Sequence, residues 1–178
     1  MNIRLKVIVT GLVLSAVAVL ALAAVKSRST SDEAVRARLF AHHADFERLV
    51  AMANEDKHLV RIAPDFTWLD EDSSWPRKDV GISEERWNDY RRLFQSVGAT
   101  SGIVKGDDPS RIAFPIASVG IVPSGYEKGL IYSQASLTPV LKSLDKRPPN
   151  ELWDGPDRSH VLAYKPIGDH WYIYYQEW

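Results

Sequence analysis

Between Val7 and Val25 the chain reads VIVTGLVLSAVAVLALAAV, 19 residues without a charge. Crossing the hydrocarbon core of a bilayer as a helix takes about 20 apolar residues. A helix on a globular surface shows one apolar stripe, whereas this run is apolar around its whole circumference. Arg4 and Lys6 precede it, and Lys26 and Arg28 follow. The expectation is a transmembrane or signal helix within residues 1–26, followed by one globular domain over 27–178. Lys and Arg on the two flanks do not decide orientation. A short positive tail before an apolar run resembles export signals in general. That places the domain outside an inner (cytoplasmic) membrane, tethered by a single pass. Ala21-Leu22-Ala23 also offers an A-x-A cleavage site, so the alternative is release to the periplasm after a cut near Ala23.

What remains is roughly 150 residues, a common size for one domain with its own core. Cysteine is absent. This excludes disulfides, thiolate zinc sites and cysteine nucleophiles. The formal net charge of -1 carries no basic excess, so no nucleic-acid partner is expected. The chain contains no G-x-G-x-x-G, Walker or G-x-S-x-G motif. Neither a cofactor nor a metal is expected.

Local signals then divide the domain. Thr30 with Glu33 fits a capping box, and the spacing of Val35, Leu39, Phe46, Leu49 and Ala53 predicts one helix to about Lys57. A short extended stretch covers Asp65 to Trp68, and Asp70 to Lys78 reads as a loop. A second helix starts at Ser83, with Glu84 and Glu85 in its first turn. Ile82 and Trp87 stand as a hydrophobic staple. Trp87, Tyr90, Phe94 and Val97 make its apolar face, and Gly98 stops it. Strands are predicted at Gly102–Lys105 and Arg111–Ile121, the latter at an edge or bulged at Pro115. A turn over Pro123–Gly129 leads into a strand at Leu130–Ser133. Thr138-Pro139 opens a short helix to about Leu144. Ser159–Lys165 and His170–Glu177 pair as a hairpin. Helices first and strands later predict an α+β fold, its helices packed on an antiparallel sheet of about five strands.

Several residues can carry chemistry. His43 and Glu47 share a helix face, as paired metal ligands would, but a metal site needs three or four ligands. His43, His58, Asp65 and Asp70 are the acid/base candidates, with Trp68 and Trp75 able to stack on sugar rings beside them. The plainer reading is a solvated acidic loop anchored by a tryptophan. Arg86, Trp87 and Arg91 form an arginine-bearing helix face suited to an anionic ligand. Structurally, Trp87 would be core and the arginines would cover it with their methylene stems, Arg91 stacking on Trp87 four residues away. In the last strand Tyr172 and Tyr174 alternate against Trp171 and Tyr175. If their face is uncovered, they offer an amphipathic row of the kind enriched in interfaces.

No catalytic set emerges from these patterns. The expectation is a membrane-tethered or exported envelope domain that binds a protein or an envelope polymer without catalysis. The alternatives are a hydrolase acting on an envelope polymer through the loop carboxylates, and an inhibitor or immunity-type protein. Cell fractionation checks the anchor. The full chain should pellet with membranes and resist carbonate extraction, and Val17→Arg should shift it to the soluble fraction; full-length chain in the cytosol would overturn the assignment.

Overall fold

The structure, a computed structural model, describes residues 31–69, 81–105, 110–121, 124–149, 153–154 and 160–178. The Val7–Val25 run and the Asp70–Lys78 stretch lie outside the described residues. No described helix is long and apolar enough to cross a membrane. The fold is α+β: among the described residues, three helices lie on one face of an antiparallel sheet.

Helix α1 (Asp32–Ala41) is capped by Ser31, whose Oγ accepts the Ala34 amide at 3.2 Å. Thr30, the expected cap, is outside the described residues, and the observed cap is the next residue, Ser31. The single helix expected from here to Lys57 is two. His42 leaves helical backbone at ψ 29°, and α2 (His43–Glu55) starts beyond it. Neither Pro nor Gly marks the break. It falls between two stretches anchored separately, α1 through Asp32 and α2 through Phe46. The Phe46 ring meets Phe114 edge-on at 5.3 Å and Trp171 at 5.7 Å.

Helix α3 (Glu84–Val97) follows its sequence signals closely. Ser83 Oγ accepts the Arg86 amide, and Gly98 ends the helix at φ 68°, a left-handed conformation that costs a glycine little. Trp87, Tyr90, Phe94 and Val97 are buried, with Leu93 beside them. Arg86 ties α3 to the end of α2, donating to the Met52 carbonyl and to the carboxylates of Glu55 and Asp56. Tyr90 adds a 2.8 Å hydrogen bond to Asp56.

The sheet runs β1 (Leu59–Ile62), β2 (Thr67–Leu69), β3 (Ile103–Val104), β4 (Arg111–Ile121), β5 (Ser124–Ser133), β6 (Trp153–Asp154), β7 (His160–Gly168) and β8 (Trp171–Glu177). Its spatial order is β2-β1-β3-β4-β5-β8-β7-β6, eight strands where about five were expected, the last only two residues long. Strand β1 had no sequence signal of its own. Of the turn expected over Pro123–Gly129, Pro123 lies outside the described residues and Ser124 to Gly129 are instead strand, paired with β4. Gly129 is there for space: a Cβ would come 2.2 Å from the Phe114 carbonyl oxygen and 2.9 Å from the Tyr174 ring. Pro115 sits opposite it at a bulge inside the sheet, with the register shifting before Ala117.

The expected helix at Thr138–Leu144 does not form. Leu141 donates its amide to the Tyr164 carbonyl, and Tyr164 donates to that of Pro139, so this backbone pairs with the edge of β7. Residues 134–149 thus wrap the sheet as a strap. Leu137 packs on the face away from the helices, while Leu144 joins the main core on the helix face.

A buried ionic cluster clamps this strap to α1. Asp32 is 3% exposed. Its carboxylate meets Lys128 Nζ at 2.7 Å, Lys165 Nζ at 2.9 Å and the Leu144 amide at 2.9 Å. Asp145 accepts the Asp32 amide at 2.6 Å and Lys128 Nζ at 3.0 Å. Burial alone would push the Asp32 carboxyl up, but the hydrogen bonds from Lys128, Lys165 and Leu144 outweigh it and hold it at about 2. A carboxyl depressed in the folded state stabilises above its unfolded value of 3.8 and loses that contribution as pH falls toward 2. The contribution at neutral pH is about 2 kcal/mol. Acid titration of urea stability should show this loss, and Asp32→Asn should flatten it. The same variant should cost about 3 kcal/mol at pH 7, because two lysines lose their buried counter-charge.

Candidate functional site

Residues paired across an antiparallel sheet project from the same face, and strand neighbours project from opposite faces. Ile62, Ile103, Ile112, Phe114, Leu130 and Ile173 therefore face the helices and fill the main core. The opposite face carries Arg61, Val104, Ala113, Ile131 and Tyr172 in one cross-strand row. Gly129, Tyr174 and Tyr164 make the next row, and Glu127, Gln176 and Leu162 the one after. No described helix covers this face. The strap reaches only part of it, where Leu137 packs with Ile131, Tyr164 and Tyr174.

Beside the strap lies a groove of about 290 Å³, lined by Ala113, Glu127, Ile131, Tyr164, Tyr174 and Gln176 among others. It is small for a ligand site and mixes an apolar floor with a few polar groups. Glu127 is its acidic centre. One carboxylate oxygen accepts the Tyr174 hydroxyl at 2.5 Å, and the other accepts Ser118 Oγ at 3.1 Å. Burial, with the Glu127 charge next, raises the Tyr174 phenol well above its ordinary range, so it stays a donor to Glu127. A carboxylate has about four acceptor positions, and these two bonds leave Glu127 free capacity toward the groove.

Arg61 stands on the same face, paired across the strands with Val104 at the groove's border. Its guanidinium lies over the Phe66 ring, 5.5 Å from the centroid. Its Nε is closed to water and has no acceptor among the described residues. Its positive charge acts on the Tyr174 phenol, opposing the effect of Glu127.

The residues singled out from sequence fall into separate places. Trp68, Tyr172 and Tyr174 come to the helix-free face, Trp68 pairing with Arg61 across β1 and β2. Tyr172 is half-buried and meets the Tyr164 ring edge-on at 6.4 Å, whereas Tyr174 is buried. Trp75 and Asp70 lie outside the described residues. Arg86, Trp87 and Arg91 sit on α3 among the helices, and their polar groups are engaged within the chain. Trp87 Nε1 donates to the Ala63 carbonyl at 2.8 Å. Arg91 stacks over the Trp87 ring at 3.7 Å, as its spacing predicts, and donates to the Pro64 carbonyl and to Glu84.

Among the described residues, the acid/base candidates have separate surroundings. His43 is exposed on α2, 3.7 Å from Glu47, which itself accepts the Trp171 indole N–H. His58 donates to the Gly81 carbonyl at 2.6 Å, and Asp65 is an exposed turn residue. Among the described residues, no group of three or more His, Asp or Glu is placed to hold a metal ion. Glu127 and Arg61 were missed by sequence reasoning. Glu127 lay in a stretch taken for a turn, and Arg61 in a strand with no local signal. The alternation of Tyr172, Tyr174 and Gln176 was the one sign of this face.

Comparison with known proteins finds no matching family model, no matching curated protein and no matching solved structure.

Because Trp87 bridges α3 to the loop after β1, replacing it should be felt in stability. Trp87→Phe keeps most of the apolar bulk but leaves the Ala63 carbonyl without its donor and weakens the Arg91 stack. A loss of about 2 kcal/mol is expected from urea unfolding.

Proposed function

We propose that this chain is a membrane-tethered envelope domain that binds a protein or an envelope polymer through the helix-free face of its sheet. The carrying observation is the groove around Glu127, Tyr174 and Gln176 on a face that no described helix covers. The opposite face is filled by Phe46, Trp87, Trp171 and their neighbours. A sheet needs only one apolar face to form a core, so the second is available for recognition. Tyr172, half-buried on that face, offers aromatic area with a polar end, the residue type that recognition surfaces favour, while Tyr164 and Tyr174 are buried beneath it. On this reading the Val7–Val25 run holds the domain at the outer side of the cytoplasmic membrane, or exports it to the periplasm if cut near Ala23. The binding role accommodates an inhibitor or immunity-type protein as one of its forms.

Site-specific photocrosslinking in intact membranes tests this. A benzophenone side chain placed at Leu162 or at Gln176, both on the groove, should give the same discrete adduct. One placed at Phe40, exposed on α1, should give none. Equal labelling from all three positions, or none from the groove pair, would remove the proposal.

A further inference from the structure

We infer that the helix-free face docks on the same face of a second copy of this chain, the two related by a two-fold axis. This rests on that face being the recognition surface, and it names the partner. The sheet register carries the argument. Arg111 pairs with Ser133, Ala113 with Ile131, Pro115 with Gly129 and Ser118 with Glu127, which makes four successive rows on the face. Arg111 stands in the first row and Glu127 in the fourth, about 20 Å away along β5 at the ordinary rise per residue. Both line the groove. Within β4, β5 and β8 the two rows between them carry no charge. Arg61, two strands from β4 in the second row, adds to the positive side. Lys105 borders the groove too, but its ammonium is drawn to the Ala53 and Asp56 carbonyls at the end of α2, at 3.0 and 2.8 Å.

A two-fold axis lying across the strands, between the second and third rows, exchanges the first row with the fourth. It sets Arg111 of each copy against Glu127 of the other copy, twice per dimer, and lays uncharged rows on uncharged rows. An isologous interface asks this self-complementarity of a single patch. A face charged with one sign would repel its own copy instead. Glu127 keeps acceptor positions beyond those that Tyr174 and Ser118 use. The apolar border of the groove favours a protein over a polar polymer. Val140 is 51% exposed and Leu162 37%. Val140 bridges to Tyr164, and Leu162 precedes Tyr164 by two residues on β7, so both flank the groove. Neighbouring exposed apolar side chains mark surfaces that another protein covers. Copies held in one membrane by their Val7–Val25 runs meet at raised effective concentration, so a modest interface is enough.

Crosslinking in membranes that hold two differently tagged copies of the full chain tests this. A benzophenone at Leu162 should give an adduct with the mass of two chains and both tags. An adduct with any other molecule overturns the self-association and keeps the face as a recognition surface; no adduct removes that reading as well. Charge reversal reads the register. Arg111→Glu and Glu127→Lys, each expressed alone, should lose the two-chain adduct about tenfold, because like charges then oppose each other at both contacts. Expressed together, the two variants should restore it, since each reversed charge meets its opposite on the other copy. Loss without recovery, from chains that melt like the unaltered one, overturns the two-fold arrangement. If either variant fails to fold, the two-tag adduct of the otherwise unaltered chain decides.

Discussion

The Asp32 carboxylate ties together four parts of the chain that have no local reason to meet. It begins α1, accepts from lysines on β5 and β7, and takes the amide of Leu144 in the strap. Its net value comes from opposed effects, a desolvation cost on one side and two ammonium groups with a backbone donor on the other. With the bonds winning, the cluster holds α1 on the sheet together with the buried Val35 and Leu39, and the strap on β7 together with its backbone bonds to Tyr164. The strap in turn decides how much of the helix-free face is covered. Everything about the groove therefore depends indirectly on this cluster, although none of its members lines the groove.

The arginines illustrate how the same side chain takes different roles. Arg86 gathers the end of α2 with three kinds of acceptor, and Arg91 joins Trp87 to the Pro64 carbonyl. Both have their donors and their apolar stems in use, which is what a helix–helix contact asks of them. Arg61 stands apart. It is on the other side of the sheet, over a ring, without an acceptor at Nε. The contrast among these three residues follows from which side of the sheet each occupies.

The aromatic side chains divide along the same line. Phe46, Phe114, Trp171 and Tyr132 interlock edge-on beneath the helices, where ring quadrupoles favour that geometry. Tyr174 is equally buried but points its hydroxyl at a carboxylate. One strand thus serves two environments, with Trp171, Ile173 and Tyr175 toward the helices and Tyr172, Tyr174 and Gln176 away from them.

Local chemistry was enough to place α3 from Ser83 to Gly98, the bulge at Pro115, the final hairpin and the α+β order of elements. Each depends on a residue's own cap, ring or alternation, and these act over a few neighbours. The chain's first apolar run is likewise legible without any fold. The tertiary structure alone decided the break at His42, the pairing of residues 139–141 with β7, the ionic partners of Asp32 and the meeting of Arg61 with the Glu127 face. Those contacts join residues far apart in the chain, and their geometry is set by strand register and by which surfaces remain to be covered. Register is a property of the whole sheet, so no local spacing could announce it.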